Sequence, residues 1–165
     1  MQADCTLPRT PVNFLARRGA SVYPGCMGKS PRYVLDDQIG YVLRRVSQRH
    51  LAIFSDAIPE VTTTQFAVIA RLAELGPQSQ NHLGRETAMD AATIKGVVDR
   101  LARQGFVATS PDPEDRRRLS VALTKAGLAL FQAQLETALE VSARTLDPLS
   151  AEERRQLLAL LARLT

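Results

Sequence analysis

Apolar residues recur at helical spacing in the first half of this chain. From about residue 35 to residue 57 they return every three or four positions, which predicts one long helix with a single apolar stripe. Thr62 and Gln65, three residues apart, form the signature of a second helix start. Gly76-Pro77 is expected to end that helix. The stripe of the first helix comprises Leu35, Ile39, Val42, Val46, Ile53 and Phe54.

The middle of the chain predicts two short helices and a β-hairpin. Ser79 opens a helix to Glu86, and Asp90 opens a second helix, which Gly105 is expected to close. The buried stripe of the second helix is Ile94, Val97, Val98 and Leu101. The hairpin follows as a strand at 106–109, a turn at 110–115, three arginines at 116–118 and an alternating return strand at 119–123.

The C-terminal third predicts two further helices. Thr124 caps the first, which runs to about Thr145, and Ser150 with Glu153 starts the second. Leucines cover more of the last helix than one domain face needs. We therefore expect these leucines to form a dimer interface with the first long helix; a core within one chain is the alternative. The leucines are Leu157, Leu158, Leu160, Leu161 and Leu164.

These elements predict a mainly α-helical protein with a small β-wing, an α+β fold. A winged helix–turn–helix lobe is expected at about 62–123, and a helical dimerisation region at about 35–57 and 124–165. Residues 1–33 contain several prolines and glycines and are expected to form an irregular arm before a single domain at 34–165.

Composition supports binding to a polyanion. The 165 residues include 21 Lys+Arg and 17 Asp+Glu, a net charge of +4, and the positive excess is concentrated between Arg100 and Arg118. Aromatic residues are only 5% of the chain, which argues against binding single strands by base stacking. No apolar run approaches the length of a membrane span. Two cysteines, Cys5 and Cys26, are too few for a disulfide scaffold, so we expect a cytoplasmic protein.

A helix–turn–helix followed by a basic hairpin is typical of proteins that read duplex DNA. Small residues after Asp90 allow the second helix to enter a major groove, and three arginines at a hairpin tip suit phosphates or a minor groove. A solvated loop is the alternative for those arginines. The predicted DNA contacts are Ser79, Gln80, Asn81, Asp90, Ala91, Ala92, Thr93, Lys95, Arg100, Arg116, Arg117 and Arg118.

Two motifs resemble the MarR family of transcriptional regulators. The segment at 112–117, followed by Leu123-Thr124-Lys125-Ala126-Gly127, is similar to the wing signature of that family, and the segments at 62–66 and 97–107 also match its pattern. The resemblance covers roughly residues 35–165. It implies a homodimer on a pseudo-palindromic double-stranded DNA operator, usually a repressor and often released by a small molecule. We expect a small aromatic acid or phenol as this effector.

By the same resemblance, the first long helix covers an effector pocket. Tyr41, Arg45, His50 and Phe66 are the predicted pocket residues; Arg45 is expected to pair with a carboxylate and the others to contact a ring. A core or interface role is the alternative for His50. A peroxide-sensing branch of the family carries a cysteine where this chain has Gly40, so a redox-responsive regulator would depend on Cys26.

The sequence offers no catalytic chemistry. Its two histidines and two cysteines are scattered, and it contains neither a nucleophile motif nor a nucleotide fingerprint. We therefore expect a protein that is not an enzyme and that binds no cofactor and no metal. An effector-independent DNA-binding protein and a protein-interaction module are the remaining alternatives.

Overall fold

The computed structural model describes residues 32–111 and 119–165, which fall almost completely within one compact unit, Leu35–Thr165. Its helices begin with a 3-10 turn and continue with six α-helices in the described residues. The elements are the 3-10 turn Leu35–Asp37, α1 Ile39–Ala57, α2 Thr63–Leu75, β1 Gln78–Ser79, α3 Gln80–Glu86, α4 Ala91–Arg103, β2 Val107–Pro111, β3 Leu119–Leu123, α5 Lys125–Thr145 and α6 Ala151–Leu161.

Five helices begin at the residues that the sequence predicted. In each case an extended residue accepts a hydrogen bond from the backbone N–H three residues later, so the cap satisfies a donor that the helix leaves open. The capping residues are Thr62, Ser79, Asp90, Thr124 and Ser150. Both predicted capping boxes, at Thr62 and at Ser150, are also present. These local signals fix where the chain enters each helix.

Two predictions about element bounds were wrong. The first helix is not continuous from Leu35, because Gln38 adopts an extended conformation and α1 starts at Ile39. The first wing strand is Val107–Pro111, so Ser110 and Pro111 belong to the strand and not to the turn. A proline is tolerated there because β2 is an edge strand. The remainder of the predicted turn, 112–115, lies outside the described residues.

A third strand, β1, was not predicted. The sheet is antiparallel with the order β1-β3-β2, and Gln78 and Ser79 pair with Val121 and Ser120 of β3. Because α3 begins directly after β1, this pairing joins the first helix of the helix–turn–helix pair to the base of the wing.

The core lies in the winged helix–turn–helix lobe. The predicted stripe of α4 is buried in full, with each of its four side chains at most 1% exposed. It packs with residues of α2, α3 and the wing, including Leu72, Leu83 and Val121. A row of aromatic rings continues from this core toward α1 and α5. Phe66 lies 5.7 Å from Phe54 and 6.0 Å from Phe131, measured between ring centroids.

The helices outside the lobe leave their apolar faces exposed. In α6 no residue is buried, and Leu158 and Leu160 are more than half exposed. The first half of α1 and one side of α5 show the same feature. The exposed side chains on these three helices are Ile39, Val42, Leu43, Val46, Leu128, Leu135, Leu139, Leu158 and Leu160. The core of one chain therefore does not account for the apolar residues of these helices.

The close approach of α5 to Phe106, the residue just before β2, generates a stability prediction. A Cβ atom added at Gly127 would overlap the carbonyl group of Phe106. We expect Gly127→Ala to lower the free energy of unfolding by about 1–3 kcal/mol, as for other overpacked sites. Urea denaturation measures this change. Gly40→Ala is the control, since nothing lies within 4 Å of its added Cβ; it should stabilise the protein by up to about 1 kcal/mol through helix propensity. Equal effects of the two variants would contradict the close contact.

Candidate nucleic-acid interface

The α4 helix presents its first turn to solvent. The Asp90 carboxylate accepts a hydrogen bond of 2.7 Å from the Thr93 backbone N–H, which fixes the start of the helix. Since the opposite stripe is buried, the rotation of α4 about its axis is also fixed. The residues that point outward are Ala91, Ala92, Thr93 and Lys95, all exposed. This places the predicted major-groove residues on one accessible surface.

A tight turn sets the angle between α3 and α4. The Thr87 N–H donates to the Leu83 carbonyl at 2.9 Å, and the Met89 N–H donates to the Gly84 carbonyl at 2.8 Å. Ala88 between them has a φ of 52°, in the left-handed region that side chains other than glycine seldom adopt. The turn therefore holds a strained residue in place by flanking hydrogen bonds and orients α4 relative to α3.

The start of α3 is less open than the start of α4. Ser79 is half-buried, pairs within the sheet and accepts a hydrogen bond of 3.3 Å from the His82 N–H. Gln80 is also half-buried, whereas Asn81 is exposed. Of the three residues predicted here to contact DNA, Asn81 is the most accessible, and Ser79 has a structural role as a cap.

The charged residues of α4 also interact with one another. The Lys95 ammonium lies 2.6 Å from the Asp99 carboxylate, in an exposed ion pair one turn along the helix. Arg100 is exposed, and its guanidinium lies near Gly96, within 4 Å of where a Cβ atom would be. Lys95 therefore shares its charge with Asp99 in the free protein, a partner that the sequence analysis did not identify.

The wing is anchored at its base. Strands β2 and β3 pair from Val107 with Leu123 to Pro111 with Leu119. The Thr124 hydroxyl donates to the Gly105 carbonyl at 2.7 Å, where Gly105 has the positive φ predicted for a residue that closes α4. The predicted tip residues Arg116, Arg117 and Arg118 lie outside the described residues.

The predicted effector residues fall into two groups. His50 and Phe66 lie at either side of Phe54, with ring centroids 6.2 and 5.7 Å from its centroid. Tyr41 and Arg45 form a separate pair, in which the Arg45 guanidinium carbon lies 5.8 Å from the Tyr41 ring centroid. Tyr41 is nine residues from His50 on α1, about 13 Å along the helix axis. One chain thus does not bring all four residues together.

Sequence reasoning missed the role of Arg49. Its guanidinium donates to the carbonyls of Arg144, Thr145 and Asp147 at 3.0 to 3.3 Å, at the C-terminal end of α5. A positive charge is favourable at this end of a helix. No local signal in the sequence relates residue 49 to residue 145.

Arg49 also lines a cleft of about 540 Å³ at the junction of α1, α5 and α6. A second cleft, of about 280 Å³, lies where α1 meets the start of α2 and includes Phe54 and Thr62. Neither cleft is lined by any of the four predicted effector residues.

Comparisons with known proteins identify the family. Residues 61–119 match the model of the MarR family. The HTH-type transcriptional repressor NicR of Pseudomonas putida is 41% identical to this chain over 134 residues, which are 80% of this chain and 85% of NicR. The chain belongs to the MarR family. The resemblance and the winged helix–turn–helix fold predicted from sequence are confirmed.

Solved MarR-type structures share this fold. A probable transcriptional regulator from Pseudomonas aeruginosa is 52% identical, with a TM-score of 0.78 and coverage of 80% of this chain and 100% of that chain. BpsR of Bordetella bronchiseptica, whose DNA binding is regulated by 6-hydroxynicotinic acid, is 37% identical, with a TM-score of 0.77 and coverage of 81% and 96%. As a member of this family, the protein is a transcriptional regulator and not an enzyme.

The described residues add two further findings. No group of three or more His, Cys, Asp or Glu side chains among them is placed to hold a metal ion. No helix in the described part of the chain is long and apolar enough to cross a membrane.

The cap of α4 generates a pH prediction. The backbone N–H of Thr93 donates to the Asp90 carboxylate and lowers its pKa. The ionised carboxylate therefore stabilises the fold at pH values above the pKa of an aspartate in the unfolded chain, which is near 4. This contribution to the free energy of unfolding is lost as the pH falls through the lower pKa that Asp90 has in the folded protein. Asp90→Asn keeps an oxygen acceptor but does not titrate. Between about pH 5 and about pH 2, we expect wild type to lose more free energy of unfolding than this variant.

Urea denaturation across this pH series makes the comparison. Asp37→Asn, at an exposed position outside the helix caps, is the control and should follow wild type. Parallel curves for wild type and Asp90→Asn would show that the Asp90 cap does not contribute to acid sensitivity.

Proposed function

We propose that this MarR-family regulator is a homodimeric repressor that binds a pseudo-palindromic operator and is released by a small aromatic acid or phenol. The observation that carries the proposal is the exposed first turn of α4, held by the Asp90 cap and by a fully buried opposite stripe. A recognition helix in a major groove needs this arrangement, because its first turns must reach the base edges.

The proposed DNA contacts divide by role. Thr93 and Lys95 read base edges, with Ala91 and Ala92 providing close approach to the groove. Binding to DNA separates Lys95 from Asp99 or uses the remaining hydrogen-bond donors of its ammonium group. The other proposed interface residues contact the DNA backbone or cap the helices that approach it. They are Ser79, Gln80, Asn81, Asp90, Arg100, Arg116, Arg117 and Arg118.

The exposed apolar faces of α1, α5 and α6 support the dimer. These helices carry leucines and valines that their own chain leaves exposed, and a second copy of the chain offers the same surface for a symmetric interface. Two lobes held in this way place their α4 helices about one turn of DNA apart. A DNA-bound regulator of this kind acts in the cytoplasm.

The chemistry of the relatives supports an aromatic effector. The similar BpsR responds to 6-hydroxynicotinic acid, which has a planar ring, a carboxylate and a hydroxyl group. In this chain, His50 and Phe66 lie beside the aromatic row, and Arg45 offers a guanidinium for a carboxylate. Tyr41 and Arg45 lie nearer the start of α1 than His50 does. We therefore propose that residues of a second copy, where it meets α1, complete the site. An effector releases DNA only by its differential affinity for the two lobe spacings.

Operator binding tests the DNA interface. Thr93→Ala should weaken specific binding by about 1–3 kcal/mol if its base contact is lost. Arg116→Ala should weaken binding to all sequences and reduce the salt slope by about one unit. Fluorescence anisotropy with operator and scrambled duplexes at several salt concentrations measures both quantities. Arg163→Ala, beyond the end of α6, is the charge-matched control. If Arg116→Ala left the dependence of affinity on salt concentration unchanged, the wing would not be part of the interface.

Effector release is tested with 6-hydroxynicotinic acid. We expect this acid to raise the melting temperature of the free protein and to weaken operator binding, and Arg45→Ala to reduce both effects by removing the carboxylate partner. 6-Hydroxynicotinamide, in which an amide replaces the carboxylate and the ring donor is kept, is the control ligand. Sedimentation of the free protein should give the mass of two chains. A monomer, or identical responses to the acid and the amide, would contradict the proposal.

A further inference from the structure

Two consecutive residues of α1 contact the last residue of α5. The His50 ring nitrogen Nδ1 lies 3.0 Å from the Thr145 hydroxyl oxygen. Arg49 donates from Nε to the Thr145 carbonyl at 3.3 Å. Thr145 is thus held through both its side chain and its backbone, at the point where α5 ends.

The hydrogen bonds of Thr145 determine which ring nitrogen of His50 carries the proton. The Thr145 hydroxyl donates to the Val141 carbonyl at 2.8 Å, and a carbonyl can only accept. A hydroxyl has one hydrogen, so toward His50 the Thr145 oxygen acts as acceptor and Nδ1–H as donor. Neutral His50 is therefore protonated at Nδ1, and its Nε2 carries a lone pair.

The Nε2 atom of His50 is available to a ligand. Within residues 32–111 and 119–165, no hydrogen-bond partner is found for this nitrogen. The imidazole is half-buried and lies next to Phe54, with the rings tilted by 45°. Phe54 in turn contacts Phe66 edge-on. A half-buried acceptor beside aromatic rings suits a planar ligand that carries a hydrogen-bond donor.

We infer that Thr145 is a positioning residue that orients His50 so that its Nε2 accepts a hydrogen bond from an O–H or ring N–H group of the effector. The inference rests on the proposed function, since it places His50 in the effector site. It adds a selection rule: the site prefers aromatic acids with such a donor, as in a phenol or a hydroxypyridine, over the same acids without it. A site built to hydrogen-bond a donor discriminates against ligands that lack one.

Arg49 supports this role of Thr145. By donating to three carbonyls at the end of α5, its guanidinium keeps the last turn of α5 against α1. The Thr145 hydroxyl therefore stays at a fixed place between the His50 ring, from which it accepts, and the Val141 carbonyl, to which it donates.

The protonation of His50 is measured directly by NMR. In full-length protein labelled with nitrogen-15 at histidine, the signals of the neutral His50 ring should show its proton on Nδ1. The chain has two histidines, so His82→Gln assigns the signals. Thr145→Val removes the hydroxyl and should give a mixed or Nε2-protonated ring, whereas Thr145→Ser should preserve the wild-type state.

Ser142→Ala is the matched control for this measurement. The Ser142 hydroxyl donates to the Ala138 carbonyl at 3.2 Å on the same helix, as Thr145 does to Val141. It should leave the His50 signals unchanged. An Nε2-protonated His50 in wild type, or signals that Thr145→Val does not alter, would overturn the inference whether or not the protein responds to an effector. The melting curve of each variant checks that it is folded.

Calorimetry with two ligands tests the selection rule. We expect wild type to bind 6-hydroxynicotinic acid roughly 3- to 10-fold more tightly than nicotinic acid, the effect of one hydrogen bond. Thr145→Val should bring this ratio near one, and Thr145→Ser should retain it. A ratio that survives in Thr145→Val would refute the positioning role. Wild type that binds neither acid would refute the proposed effector class and the selection rule, while the NMR result still decides the state of His50.

Discussion

The burial of one side of α4 determines which residues of this helix face solvent and are accessible to DNA. Four side chains spaced at helical intervals lie in the core, each at most 1% exposed. Burial of each is favourable by roughly 1.5–3 kcal/mol relative to exposure, so no other rotation of the helix competes. The cap at Asp90 and the turn at Ala88 then fix the remaining freedom of the helix, its start and its angle to α3. The accessible face of α4 is a consequence of what its other face buries.

The C-terminal end of the chain contributes little to this core. Val141 is the last residue that the core includes, and α6 buries none of its side chains. A helix of eleven residues is marginal in water without packing. The exposed apolar positions of α6 are the physical basis of the proposed dimer.

The sequence predicted what is local. Capping residues, the stripe of α4 and the position of the return strand depend on near neighbours, and these were read correctly. The predicted alternation of the return strand holds only in part, because Val121 is buried but Leu119 is 50% exposed. Features that depend on distant pairing were missed or misplaced. The two residues of β1 are a strand only because Val121 and Ser120 lie beside them. Arg49 contacts α5 only because the fold brings residues 49 and 145 together, and the effector residues were grouped by resemblance rather than by distance.

A buried glutamine of α2 connects the end of α4 to the region where α2 packs against α1. Gln65, 5% exposed, accepts from the Thr62 N–H at 2.8 Å and donates to the Gln104 side chain at 2.8 Å. Gln104 is the C-terminal cap of α4, and Phe66, the next residue of α2, packs on Phe54 of α1. Because close-packed cores transmit displacements rather than absorb them, a shift of α1 against α2 moves α4 with the whole lobe. In the proposed dimer, an effector bound at α1 is therefore expected to act on DNA by changing the distance between the two lobes, and not by reshaping the recognition helix.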